Sequence, residues 1–503
     1  MKRLVLSWSL FLQATLVGAQ ASNSTTPSVI WGTCPSSTPP GVDCGSVRVP
    51  LTYKSGNSTA AANNQTVTLG LTRLKSTGNN TQGALFFNPG GPGVPATELV
   101  AAGRYVPNLG FTPDVNRIFD IIGLDPRGVG ASTPIRCDPN IFNERVLTFV
   151  NGTKGYDELV DHNRRFGKSC ANLTGPLLNH LDSTHVAKDH ELVRKALGSG
   201  KFNYFGMSYG SLFGSQFIEL FPNSVGRIAL DGLIDHSQSE VTTLLTEASS
   251  YEVVLNRFFD FCDTNTTCPL HGRNSKKIFG DLLARADQRA IPALACNGTC
   301  QPNVTGEDIR YNVQNFLEFV DLSVAPNWLE LGGAIAEAAE GNATALSTPL
   351  ATSRTAASIQ GSPFSYLAIG CQDWLHRARN ATDIELRLQA IRPFAPQTAG
   401  ASQTFYYESN CIGWPAPLTN GQRALNTTLT SRAPKVLLSN SIYDPATSIV
   451  WANGLRQQLP SAVSITRNGT GHTSHFILGE TRNVIDNFLA TGDLPNDGSI
   501  YQT

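Results

Sequence analysis

The stretch Lys201-Phe202-Asn203-Tyr204-Phe205-Gly206-Met207-Ser208-Tyr209-Gly210, continued by Ser211 to Phe221, decides the fold. Its first five residues are aromatic and strand-like, and the run after Gly210 suits a helix. Between them stands G-x-S-x-G. Small residues on either side of a serine let the chain turn sharply from strand to helix and hold the hydroxyl clear of the sheet, so Ser208 is a candidate nucleophile. In a chain with 45 glycines the pentapeptide alone is weak, and its weight comes from what surrounds it.

Outward from this turn, short β-rich runs alternate with helix-compatible segments, the order of an α/β protein. Strands are expected at Gly45 to Tyr53, Thr66 to Leu74, Ala84 to Asn88, Phe119 to Leu124, Asn203 to Gly206, Arg227 to Leu230, Lys435 to Ser439 and Ser464 to Arg467. Continuous apolar content in the later runs suits strands buried on both faces of a mostly parallel sheet flanked by helices. Asp182-Ser183-Thr184 can cap a helix that passes through Val186, Leu192, Val193 and Leu197, stops at Gly198 and leads into the strand before Ser208.

From Asp235 to about Phe364 the strand rhythm gives way to helical character at Glu247 to Phe261, Ile309 to Phe319 and Trp328 to Ala339. A helical cap inserted into one core explains this order better than two tandem domains. The expected division is residues 20–234 for the first part of the core, 235–365 for the cap and 366–503 for the C-terminal part of the core. Pro393 to Ser402, rich in Pro, Ala and Gly, reads as a surface loop.

Lys2 and Arg3 precede an apolar run from Leu4 to Val17 and then the small residues Gly18, Ala19 and Ala21. This is the pattern of a cleaved secretory signal, expected over residues 1–19, and it makes the product extracellular. The run is too short and too interrupted by hydroxyl side chains for a membrane anchor, and no later segment reads as membrane-spanning. Glycosylation acceptors of the Asn-x-Ser/Thr type stand at Asn23, Asn57, Asn64, Asn79, Asn151, Asn172, Asn265, Asn297, Asn303, Asn342, Asn380, Asn426 and Asn468. Asn468 lies only four residues before His472, where a glycan would border the loop that carries this histidine.

Ten cysteines, an even number, fit disulfides in an oxidising compartment. Proximity pairs Cys34 with Cys44, Cys262 with Cys268 and Cys296 with Cys300, which leaves Cys137, Cys170, Cys371 and Cys411 for longer closures. Cys137 with Cys170 and Cys371 with Cys411 are the expected choices. The cysteines form no paired C-x-x-C units and no histidine stands at finger spacing, so neither a metal nor another cofactor is expected. With 38 basic and 39 acidic residues and no long run of either sign, nothing favours nucleic acid or an anionic membrane as partner. A monomer acting on a peptide or a small ester is the expected state.

A serine nucleophile requires a base and an orienting acid, each at the end of a later strand. Asp444 follows Lys435 to Ser439 in Ser439-Asn440-Ser441-Ile442-Tyr443-Asp444-Pro445, and His472 follows Ser464 to Arg467 in Gly469-Thr470-Gly471-His472-Thr473. The order Ser, Asp, His is that of an α/β-hydrolase triad, in which His472 takes the Ser208 proton and Asp444 orients the imidazole. Asp231, after the strand Arg227 to Leu230, is the alternative acid, and His475 is the alternative base. Asn88-Pro89-Gly90-Gly91-Pro92-Gly93 follows an early apolar strand and offers backbone donors for an oxyanion, because its glycines permit close approach while Pro92 lacks an N–H. The expected donors are the amides of Gly91 and of Tyr209, the residue after the nucleophile.

With these residues assembled, the chain resembles secreted α/β-hydrolase serine peptidases of the tripeptidyl aminopeptidase and prolyl aminopeptidase type over nearly all its mature length. Further marks are Trp31, Cys34 and Cys44 with Val49-Pro50-Leu51-Thr52-Tyr53, then Asp125-Pro126-Arg127-Gly128-Val129-Gly130, Ile369-Gly370-Cys371-Gln372-Asp373 and Cys411-Ile412-Gly413-Trp414-Pro415. The part from about Cys371 looks like the family's C-terminal region, and the resemblance supports pairing Cys371 with Cys411. It implies hydrolysis through an acyl-enzyme, with peptide N-termini as the inherited substrate. Proline-releasing relatives begin the oxyanion motif with His-Gly-Gly-Pro, whereas Pro89 stands here, so narrow proline specificity does not carry over. An aminopeptidase also reads a cationic amine with buried carboxylates. Glu240, Glu247 and Glu252 are available for this at the start of the cap, or are solvated helix residues. A carboxylesterase, lactone hydrolase or transacylase shares the same triad, and a noncatalytic binding protein on this fold is the alternative from another class.

Overall fold

The strand before Ser208 lies at the centre of a ten-stranded sheet. The structure, a computed structural model, describes residues 27–502 apart from Ser37, residues 79–81, Pro107, residues 321–326 and residues 353–360. The expected signal segment and the sequons at Asn23 and Asn79 lie outside the described residues. In chain order the strands are β1 (Ile30–Gly32), β2 (Val42–Pro50), β3 (Thr66–Leu74), β4 (Ala84–Asn88), β5 (Asp120–Leu124), β6 (Phe202–Met207), β7 (Val225–Asp231), β8 (Ile291–Pro292), β9 (Asn303–Val304), β10 (Leu437–Tyr443), β11 (Val463–Thr470) and β12 (Ser499–Gln502). The large sheet has the order β1-β2-β3-β5-β4-β6-β7-β10-β11-β12, and β8 and β9 form a separate ribbon. From β5 to β12 all neighbours are parallel, whereas β3 is antiparallel to β5 and to β2. Every residue of β4 and β6 is buried, as strands covered on both faces by crossover helices must be.

Register sets the site. Asn88 pairs with Gly206, Met207 with Asp231, and Asp231 with Ser439, so the carboxyl ends of β4, β6 and β7 lie side by side. The chain leaves β6 at Ser208, β10 at Asp444 and β11 just before His472, all at this one end of the sheet. Open parallel sheets place their sites at this end. The helix expected before β6 spans Ser183–Ala196, and the Asp182 carboxylate caps it by accepting from the amides of Thr184 and His185.

Between β7 and β10 lie the helices Glu240–Thr264, Ser275–Gln288, Gly306–Asn312, Gln314–Leu317 and Trp328–Ala339. They close around an apolar centre of their own that includes Tyr251, Phe258, Phe279, Leu331 and Ile335. Four further helices, Pro363–Asp373, Ala381–Ile391, Gln403–Asn410 and the short Thr427–Thr430, are described before β10. Leu388 and Phe405 from them share a buried cluster with Leu244 and Ala248 of the cap and Val160 of the helix Gly152–Thr174. Helical packing therefore continues past residue 365.

Several boundaries differ from expectation for identifiable reasons. The segment Ile309 to Phe319 is two short helices that meet at Val313. Strand β10 runs four residues beyond Ser439 because its polar members are paired. Asn440 accepts from the Leu233 amide (2.7 Å) and Ser441 donates to the Gly469 carbonyl (2.7 Å). Pro393 to Ser402 is a loop, but only its first part lies at the surface. Ala395, Thr398 and Gly400 to Ser402 are buried, and the Thr398 amide donates to Glu252 (3.1 Å). The cysteines are joined as Cys34–Cys44, Cys137–Cys170, Cys262–Cys268, Cys296–Cys300 and Cys371–Cys411. Among the described residues no helix is long and apolar enough to cross a membrane.

Candidate active site

Ser208 sits at the turn from β6 into the helix Tyr209–Leu220 with φ +54°, a conformation that non-glycine residues rarely adopt. Its amide donates to the Asp231 carbonyl (2.9 Å), and its carbonyl accepts from the Ser211 amide (2.8 Å) and hydroxyl (2.6 Å). The flanking glycines are required by contact. A Cβ on Gly206 would lie 2.4 Å from the Tyr204 ring and 2.5 Å from the Gly210 carbonyl, and one on Gly210 would lie 2.6 Å from the Asn88 carbonyl.

The glycine loop after β4 is pressed against this turn. A Cβ on Gly90, whose φ is +91°, would stand 2.5 Å from Met207 O, 2.7 Å from the Tyr209 amide nitrogen and 2.9 Å from Ser208 Cβ. The Asn88 side chain holds the loop by accepting from the Gly90 amide (2.9 Å). Gly90 and Tyr209 are thereby adjacent to the nucleophile, and Gly91 follows Gly90 in the chain. The Tyr209 amide opens its helix and has no carbonyl within that helix to meet.

The Asp444 carboxylate receives His472 Nδ1 at 2.9 and 3.1 Å. It also accepts from the amides of Ala446 (3.0 Å), Thr447 (2.8 Å) and Thr473 (2.9 Å) and from the Thr447 hydroxyl (2.8 Å). Burial opposes charge on Asp444, but His472 and these donors outweigh it and hold the carboxyl below its ordinary value. Burial likewise opposes charge on His472, yet Asp444 above all, with Glu318 and Asp231, lifts the imidazole to about 9. With Nδ1 turned to Asp444, Nε2 is the nitrogen left for a serine proton. A Cβ on Gly232, the residue after Asp231, would lie 3.4 Å from His472 Cε1, so the imidazole reaches the turn whose carbonyl holds Ser208.

The two alternative residues occupy other posts. Asp231 Oδ2 accepts from the amides of Ser474 (2.7 Å) and His475 (2.9 Å), which makes it a brace beneath the histidine loop, and burial raises its pKa. His475 pairs through Nε2 with Asp486 (2.8 Å) and packs against Phe205 and Phe111.

Two residues at this loop escaped the sequence reading. The Arg467 guanidinium donates to the carbonyls of Thr470 (3.2 Å), Gly471 (2.9 Å) and Thr473 (3.0 Å), bracketing His472 from both sides. An arginine at an inward, buried position of its strand, in step with Val463 and Ile465, was the available signal. Glu318, from the cap, accepts the His472 amide proton with its main-chain carbonyl (2.7 Å), and its carboxyl interacts electrostatically with His472 and Asp444. No residue-type signal marks that contact, since it is made by backbone.

Of the three cap carboxylates available for an amine, Glu247 and Glu252 are buried and Glu240 is partly exposed, and each already has partners. Glu240 accepts from Arg387 Nη1 (2.9 Å) and the Arg377 amide (2.7 Å), and Glu252 from the Gln397 side chain (2.7 Å) and the Thr398 amide. Glu247 accepts from the Thr404 amide (2.7 Å) and hydroxyl (2.6 Å), and burial pushes it up to about 7. A cavity of about 800 Å³, lined by Arg257, Phe261, Trp328, Arg467, Thr470 and Leu478, lies beside the histidine loop, and Asn468 is on its rim. Among the described residues no group of three or more His, Cys, Asp and Glu could hold a metal ion.

The remaining resemblance motifs are braces. Asp125 accepts from the Thr97 amide (2.9 Å) and hydroxyl (2.7 Å), anchoring the helix Ala96–Ala102 behind the glycine loop. Arg127, wholly buried, donates to Asp189 at 2.8 and 2.6 Å and to the carbonyls of Leu51 and His180. Gln372 accepts from the Leu181 amide (2.9 Å).

Residues 83–305 match the α/β hydrolase fold family, and residues 396–500 match the family described as TAP-like protein. Serine protease Hip1 of Mycobacterium tuberculosis is 27% identical over 467 residues, covering 89% of this chain and 86% of that protein. Tripeptidyl aminopeptidase of Streptomyces coelicolor is 26% identical over 494 residues, covering 95% and 86%. Carboxylesterase B of M. tuberculosis is 28% identical over 455 residues, covering 86% and 81%.

Proposed function

We propose that this chain, an α/β hydrolase with a TAP-like C-terminal region, is a serine aminopeptidase, exported and acting as a monomer, that removes amino acids or short peptides from free N-termini. The observation that carries the reading is the buried Asp444–His472 pair at 2.9 Å, set at the sheet end from which Ser208 projects. Ser208 Oγ attacks the scissile carbonyl as His472 Nε2 takes its proton. The amides of Gly91 and Tyr209 receive the oxyanion, and the imidazolium returns its proton to the departing amine. Water, deprotonated by the same imidazole, then releases the acyl group from Ser208.

The preference for peptides over esters is supported by the Hip1 and tripeptidyl aminopeptidase relatives and by Glu318. A carboxyl group beside His472 gives a substrate ammonium a partner close to the reacting carbonyl. Export is supported by the five disulfides, and the described sequons, including the exposed Asn57, Asn64 and Asn468, are proposed glycan sites.

Aminoacyl and tripeptidyl anilides presented beside short-chain esters test the reading, with Ser208→Ala as control. Amide turnover that Ser208→Ala lowers on the order of a million-fold is expected. Turnover of esters alone, or equal cleavage of N-terminally blocked and free peptides, overturns the aminopeptidase assignment.

A further inference from the structure

Asp373 is a buried acid that no step above uses. It ends the helix Pro363–Asp373, has no exposed surface and receives four hydrogen bonds. On Oδ1 it accepts from the Ser183 amide (3.1 Å) and Asn420 Nδ2 (2.6 Å), and on Oδ2 from the Ser183 hydroxyl (2.6 Å) and the Tyr209 phenol (2.8 Å). Its main-chain carbonyl accepts from His236 Nε2 (2.6 Å). Asn420 and Gln216 also exchange side-chain hydrogen bonds at 3.3 Å.

The carboxylate is therefore joined to the nucleophile helix twice. It meets the helix directly at its first residue, Tyr209, and through Asn420 at Gln216, about two turns further on. The Ser183 bonds tie the same group to the start of the helix that leads into β6. The nucleophile helix and the helix that leads into β6 are thus both tethered to one side chain.

We propose that Asp373 is a positioning residue for the oxyanion site: by holding the Tyr209 phenol it fixes the orientation of the Tyr209 amide beside Ser208. The role rests on the serine-hydrolase reading above. The two N–H partners can only donate, and in this arrangement the two hydroxyls donate as well, so the site is built for an acceptor at both oxygens. An asparagine would turn N–H groups toward at least one donor. Keeping a charge there is costly, since burial first and the nearby Asp182 next push the carboxyl above its ordinary value. Packing alone would be served by an uncharged side chain of similar volume.

Tyr209→Phe removes only the hydroxyl, and Asp373→Asn keeps the shape of the acid. Both, with the double variant, are compared with the parent in kcat and KM on a p-nitrophenyl ester, per Ser208 titrated with a fluorophosphonate. Affinity for an aminoacyl aldehyde, whose adduct places an oxyanion beside Ser208, is measured alongside. Loss of a whole oxyanion donor costs about 10²–10³ in kcat, so displacement of one is expected to cost about tenfold or more. Aldehyde affinity should fall by the same factor while KM stays within about twofold, and the double variant should fall no further than either single one. Unchanged kcat and aldehyde affinity in Tyr209→Phe, whatever happens to its melting temperature, overturn the positioning role. That variant decides the matter even if Asp373→Asn does not fold. A parent with no Ser208-dependent turnover removes the hydrolase reading and the positioning role together, a result distinguishable from an active parent with indifferent variants.

Discussion

Replacing Asp444 by asparagine should remove two opposed pH dependences from one window, an activity that rises and a stability that falls. In the parent, Asp444 leads the groups that raise His472 from its ordinary value of 6.5 to about 9. At 1.36 kcal/mol per pH unit, that is roughly 3 kcal/mol in favour of the buried imidazolium. A raised pKa means that the native state holds this proton more tightly than the unfolded chain. The stabilisation is therefore fully present below pH 6.5 and fades as the pH rises through about 9. Activity runs the other way, because only the neutral imidazole can take the Ser208 proton, so kcat/KM should climb over that interval.

In Asp444→Asn, burial is left to dominate and the acid limb should drop to 6.5 or below. The Nδ1 proton loses its acceptor, and kcat should fall by about 10⁴, the loss seen when a triad aspartate becomes asparagine. The assay is kcat/KM on an anilide from pH 5 to pH 10, with thermal melts in the same buffers. An acid limb that keeps its midpoint in Asp444→Asn would falsify the claim that this carboxylate sets the base, and with it the choice of His472.

Two further outcomes test parts of the site independently. Glu318→Gln should raise KM about tenfold or more for free-amine peptides while leaving that for short esters within about twofold, because only the charged substrate loses a partner; equal changes for both would remove Glu318 from amine recognition. Gly206→Ala should destabilise by about 3 kcal/mol or more, since its Cβ meets the Gly210 carbonyl at 2.5 Å and backbone cannot yield as a side-chain tip can; an unchanged melting temperature would refute the steric account of the turn.

The central part of this architecture was legible because burial on both faces leaves a mark in composition. β4 and β6 are wholly buried, and their apolar and aromatic runs stand out against the helices between them. Legibility fails where polar groups are buried with partners. Asn440 and Ser441 extend β10 by hydrogen bonding to Leu233 and Gly469, pairings that no local pattern announces. The helix Gly152–Thr174 escaped for a related reason. Its buried face includes His162 and Asn163, the latter donating to the carbonyls of Ser409 (2.9 Å) and Ile412 (3.0 Å), so polar residues occupy positions a periodicity reading leaves to solvent. Glu318 was invisible because its link to His472 runs through the peptide backbone.

The choice between rival acids and bases shows what spacing can and cannot decide. Asp231 closes β7 and Asp444 follows β10 at the same end of the sheet, and His472 and His475 are three residues apart on one loop. Position alone gives four pairings. The donors that surround each carboxylate separate them. Asp231 turns Oδ2 to the amides of Ser474 and His475, so it holds the loop's backbone, whereas Asp444 receives an imidazole as well as three amides. His475, committed to Asp486 and packed against Phe205, lies on the far side of that brace. Arg467 completes the division by collecting the carbonyls on both sides of His472. Asp231 takes the loop's amides and Arg467 its carbonyls, so the backbone is fixed by charges of both signs and the imidazole of His472 remains the part available for proton transfer.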